Sequence, residues 1–172
     1  TNAPPMFATA LIVGVTSHRD LDPNQLPALR AQLVDTLTRL HDDFPELQLV
    51  VLSPLAEGGD RLAAEVALQL GARLVVPLPM PVDVYADDFL SAGSQAQFEH
   101  LLAQAEIVPL PSPADVDELR KPGPLRDRQY LLAGLFVANH CHVLLALWDG
   151  RDNGGVGGTA QDIGEGALDV LP

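Results

Sequence analysis

The sequence predicts an α/β fold, a Rossmann-like three-layer α/β/α sandwich built on a mainly parallel sheet of about five strands. Short unbroken apolar runs rich in β-branched residues alternate with amphipathic helical stretches, and the runs end in loops carrying glycine, hydroxyl or charged residues. Strands buried on both faces read as continuous apolar runs, and parallel neighbours need right-handed crossover connections.

Residues 8–15 (ATALIVGV) are too short for a helix and are closed by Thr16, Ser17 and His18, which predicts a strand buried on both faces. After Pro23, the residues Leu26, Leu29, Leu33, Leu37, Leu40 and Phe44 recur at steps of three and four and trace one helical face that stops before Pro45. Residues 47–52 (LQLVVL) are a second strand, followed by a loop punctuated by Pro54, Gly58 and Gly59. A helix then starts near Asp60, the expected N-cap, with Leu62, Ala63, Val66, Ala67 and Leu70 inward and Gly71 as its left-handed C-terminal cap. Residues 73–77 are a third strand. A proline-rich passage precedes an amphipathic helix at 94–105 and a short strand at 107–110. Residues 112–124 combine prolines with charges and read as a long mobile loop, of the kind that often forms a lid. Residues 126–139 form a helix with an apolar centre, 142–147 (HVLLAL) the last strand, 149–158 a glycine-rich turn and 159–168 a closing helix.

The chain has 172 residues, of which 47% are hydrophobic and 19% charged, enough to bury a core without disulfides. One domain over 8–170 is expected, with a flexible lead-in at 1–7. The single Cys141 suits a reducing compartment, hence the cytoplasm. No apolar run approaches the ~18 residues of a membrane span. A formal charge of −13 repels a polyanion and predicts no general nucleic-acid binding, while a small anion remains possible where arginines and a helix N-terminus dominate locally.

In such folds ligands sit outside the carboxyl ends of the strands, so the strand-to-helix loops carry the functional reading. In the first, Gly14, Thr16, Ser17 and Arg19 place small, hydroxyl and cationic residues where a phosphate could be held. Their structural alternative is that the hydroxyls finish the strand, Asp20 or Asp22 caps the next helix and Arg19 pairs with a carboxylate. In the second, Gly58 and Gly59 allow close backbone approach, Arg61 could clamp a phosphate and Glu57 accept from a sugar hydroxyl, against a plain salt bridge from Arg61 to Glu57 or Glu65. The third runs from Asp149 through Gly155, Gly157 and Gly158 to Thr159, and its amides at a helix start make an anion site, against a merely flexible linker. Residues 126–130 open a helix from whose rim a side chain could reach a base or phosphate. Adjacent His140, Cys141 and His142 point in alternating directions, so structural roles are favoured and no metal or cofactor is expected.

With these loops in place, the chain resembles the SLOG superfamily, the Rossmann-like group that takes in LOG phosphoribohydrolases, DprA and the cytosolic head of TRPM channels. The resemblance is carried by residues 14–21 (GVTSHRDL), 55–64 (LAEGGDRLAA), 76–81, 146–150 (ALWDG) and 157–160 (GGTA). It is nearest to stand-alone bacterial SLOG proteins, which implies sensing of a nucleotide or NAD-derived ligand, AMP-like or ADP-ribose-like, with an effector that the sequence does not name. LOG enzymes cleave the base from nucleoside monophosphates with a PGGxGTxxE element. Gln161 stands where that element is acidic, and an amide neither takes a proton nor supplies charge to an oxocarbenium ion. The enzyme alternative therefore draws on Glu57 and Asp162, the second alternative is a non-catalytic protein-interaction domain, and the family's habit of pairing makes a homodimer plausible.

Overall fold

The computed structural model describes residues 9–113 and 115–147. The glycine-rich turn and closing helix, with Asp149, Gly155, Gly157, Gly158, Thr159 and Asp162, lie outside the described residues.

The strands are β1 (Ala10–Ser17), β2 (Gln48–Leu52), β3 (Arg73–Leu78), β4 (Glu106–Pro109) and β5 (Val143–Leu147), and the long helices are α1 (Leu26–Asp43), α2 (Gly59–Gln69), α4 (Ala92–Leu102) and α6 (Pro124–His140). Two short helices, α3 (Val82–Ala86) and α5 (Val116–Arg120), complete the order. All pairings are parallel and the strand order is β4-β3-β2-β1-β5. This is the Rossmann-like sheet that the alternation of apolar runs and helices predicts. Among the described residues, no helix is long and apolar enough to cross a membrane.

Successive strand residues face opposite layers. Leu11, Val13 and Val15 of β1 join Leu49 and Val51 of β2 in a core with Leu33 and Leu37 of α1 and Leu62, Ala63, Val66 and Ala67 of α2. Gly14 faces the other layer. A Cβ there would stand 2.7 Å from Val137 Cγ1 and 3.0 Å from Cys141 Cβ, so this glycine makes room for α6 over the central strand. A second core joins β3 to α3 and α4 through Val76, Leu78, Val84, Tyr85, Phe98 and Leu101.

Two local expectations change. Residues 112–124 are not an unanchored loop: Asp115 caps α5 by accepting from the Glu118 amide, Leu119 is fully buried, and Arg126 Nη1 donates to the Leu119 carbonyl at 2.6 Å. Helix α1 takes Gln25 as its N-cap without a side-chain bond, while Asp22 accepts from the Asn24 amide two residues on.

Candidate functional site

β1 to β4 step across the sheet in one direction, and β5 returns to the far side of β1. The order therefore reverses between β1 and β5, which is where open α/β sheets form their ligand crevice. Ser17 is in register with Leu147 at the carboxyl end, and the His18 amide donates to the Leu147 carbonyl at 3.4 Å. The first predicted loop thus stands at the switch point, with Thr16 in register with Ala146 near the end of the ladder and His18 buried.

Ser17 Oγ accepts from the Gly59 amide at 3.0 Å and donates to the His18 carbonyl at 2.7 Å, tying the β1 loop to the start of α2. Both glycines of the second loop serve this junction. Gly58 has φ +89, and a Cβ on it would lie 2.6 Å from the Arg19 carbonyl oxygen; a Cβ on Gly59 would lie 2.2 Å from Ser17 Oγ. The close approach that requires glycine is to the neighbouring strand-end loop.

Arg61 is buried and faces α4. Its Nε donates to the Leu55 carbonyl at 3.0 Å, its Nη1 to the Ser94 carbonyl and Ser94 Oγ at 2.9 Å each and to Gln97 at 3.2 Å, and its Cζ lies 4.2 Å from the Phe89 ring centre. Burial lowers its pKa, partly offset by Glu57. Ser94 Oγ also donates to Glu57, so Arg61 meets Glu57 through Ser94, and Glu65 pairs instead with Arg30. Neither the salt bridge nor an exposed phosphate clamp describes Arg61. It staples the β2 loop to the start of α4.

Asp60 was expected to cap α2, but Gly58 takes that position and the carboxyl turns inward. Its side chain is buried, and Oδ1 has no hydrogen-bond partner among the described residues. Burial pushes its pKa up to about 7, against the Ala56 amide and the charges of Arg19 and Arg61. A capping aspartate and one buried two residues later look alike in a sequence, because both stand in the first turn of an apolar helix.

Arg19 is the accessible cation of the site, with its side chain 45% exposed. Its Cζ lies over the Tyr130 ring, 5.0 Å from the centre, and its Nη2 is 3.9 Å from Asp88 Oδ2. Burial acts to lower its pKa, but Tyr85, Tyr130 and Asp88 outweigh this and hold it above the ordinary value. Tyr130 is itself fixed, since its hydroxyl donates to Asp88 Oδ2 and accepts from Arg126 Nε at 3.1 Å. Arg126 Nη2 completes the array on Asp88 Oδ1 at 2.7 Å and the Val84 carbonyl at 3.2 Å. Desolvation works to lower the pKa of Arg126, and its bond to Asp88 raises it. The sequence places residues 126–130 at the rim; that Arg126 is buried and Tyr130 lies under Arg19 depends on α6 packing beside β1, which no local pattern carries.

The structure thus gathers Thr16, Ser17, Arg19, Gly58 and Gly59 at one strand end, sends Glu57 and Arg61 toward α4, and sets Gly14 under α6. The His140 ring stacks on Phe136 with centres 4.0 Å apart, and His142 Nδ1 accepts from the Ile12 amide at 3.0 Å. A cavity of about 230 Å³ lined by Leu37, His41, Leu49 and Leu70 opens at the opposite, amino end of β2.

No protein-family model and no curated sequence matches the chain. Among solved structures, DNA processing protein A (DprA) from Streptococcus pneumoniae matches with a TM-score of 0.54 at 19% identity, over 80% of this chain and 41% of its own. The Helicobacter pylori protein matches with a TM-score of 0.52 at 17% identity, over 83% of this chain and 57% of its own. The fold is DprA-like. The likeness bears out the Rossmann-like sheet, and the chain spans about half the length of these DprA structures. The Helicobacter pylori protein binds single-stranded DNA. The exclusion of nucleic acid drawn from a charge of −13 is corrected by that neighbour. Net charge averages over a whole surface and does not describe any one patch of it.

Proposed function

We propose that the chain binds a phosphorylated nucleoside, AMP-like or ADP-ribose-like, at the carboxyl ends of β1 and β5. Thr16, Ser17 and Arg19 form one wall. The sequence after β5, with Gly155, Gly157, Gly158 and Thr159, supplies amides for the phosphate. The observation that carries this reading is the reversal of strand order between β1 and β5, with a half-exposed arginine at that reversal. The last described residue, Leu147, is in register with Ser17, so the two strand ends stand side by side. Melting temperature measured against AMP, ADP-ribose, NAD and cyclic nucleotides tests it. A ligand at 100 times its Kd adds ~2.7 kcal/mol, and Arg19→Ala should remove most of the shift. Absence of any shift at millimolar concentration overturns the reading.

A second reading is favoured by the DprA likeness: the same crevice receives one nucleotide of a single strand. Fluorescence anisotropy with a labelled oligothymidylate decides it. Strand binding falls with salt, by roughly 0.7 logarithmic units per contacted phosphate for each tenfold rise.

A further inference from the structure

The site holds Arg19 against an aromatic ring that other side chains keep in place. A long arginine side chain at a strand end ordinarily stays solvated and mobile, and holding it in one place costs rotamer entropy. Here Arg19 is fixed from beneath. Its guanidinium lies over the Tyr130 ring and reaches toward Asp88, while its side chain remains 45% exposed. The ring is held by its hydroxyl, which bonds Asp88 and Arg126, and Arg126 is anchored in turn on the backbone of Leu119 and Val84. Arg19 Cζ lies 5.0 Å and Arg126 Cζ 5.8 Å from the Tyr130 ring centre, and Arg19 follows β1 at the switch point of the sheet.

We infer that the outer face of the Arg19 guanidinium is a stacking platform for the nucleobase of the ligand. This rests on the nucleotide reading above and deepens it: the ligand is recognised by a base as well as by phosphate. A guanidinium plane is weakly hydrated and stacks on π-systems on either side, which an ammonium group does not do. Bases held by proteins lie against aromatic rings or arginine planes in this way. Tyr130 fixes the plane and Arg126 positions Tyr130; neither needs to touch the ligand.

The test compares AMP with ribose 5-phosphate, which keeps the sugar and phosphate and lacks the base, by calorimetric titration of the wild type and of Arg19→Lys. Lysine preserves the charge and removes the plane. The wild type should prefer AMP by about tenfold, equal to ~1.4 kcal/mol, and Arg19→Lys should narrow the ratio to about twofold or less. A ratio in Arg19→Lys equal to that of the wild type overturns the platform and leaves the nucleotide site standing. Equal affinity of the wild type for the two ligands overturns the platform and turns the site into one for phosphosugars. If neither ligand binds at millimolar concentration, the nucleotide reading itself fails, and the platform with it.

Discussion

Replacing Asp60 with asparagine isolates the free energy of a carboxylate that folding takes out of water. The group is buried, one of its oxygens lacks a partner among the described residues, and its pKa rises from 3.8 to about 7. Each unit is worth ~1.4 kcal/mol, so the full difference between the states is ~4 kcal/mol. The sign follows from which state holds the proton. Below the unfolded value both states are protonated and the group costs nothing. As pH rises from about 4 to about 7 the unfolded chain ionises first, so stability falls through that window and stays low above it. About two units of the window lie between pH 5 and pH 8, so the wild type should lose ~3 kcal/mol more than Asp60→Asn over that interval. Urea denaturation of both proteins at the two pH values measures this, because subtraction cancels the histidines and the other carboxylates. Parallel pH dependence in the two proteins, within ~0.5 kcal/mol, would refute the burial argument.

Gly59→Ala drives a Cβ against Ser17 Oγ and should cost ~2 kcal/mol by urea denaturation, whereas Gly134→Ala, with nothing within 4 Å in the middle of α6, should gain ~1 kcal/mol. Arg61→Met removes the donors that satisfy Leu55 and Ser94 and should lower stability by ~3 kcal/mol, with increased amide exchange at the start of α4. Burial raises the Cys141 thiol, so iodoacetamide at pH 8 should alkylate it more slowly than free cysteine, and urea should restore the free rate.

The strands were legible because each is an apolar run with no competing helical pattern, and their ends fell within a few residues of expectation. β1 extends two residues further, to Ser17, because its last hydrogen bonds are made to β5, a partner more than a hundred residues away. The short helices α3 and α5 were not legible. Five residues carry no periodicity, and α5 is held by Leu119 and Arg120, the latter bonded to Asp83 and Asp87 across from α3. In the candidate site, Ser17 and Arg19 could be named from composition after a strand. The conversion of Arg61 from clamp to staple could not, because it depends on Ser94 and Gln97 being brought beside α2. Tyr130 under Arg19 is legible only once α6 crosses back over β1.

The central claim is the location of the ligand, and the most direct measurement is the perturbation of backbone amide resonances on titration with AMP. The account predicts shifts concentrated at residues 16–19 and 144–147, at the carboxyl ends of β1 and β5, and none around Leu37, His41 and Leu70 at the amino end of β2. Shifts confined to that amino-end cavity, or no shifts at saturating AMP, would contradict it.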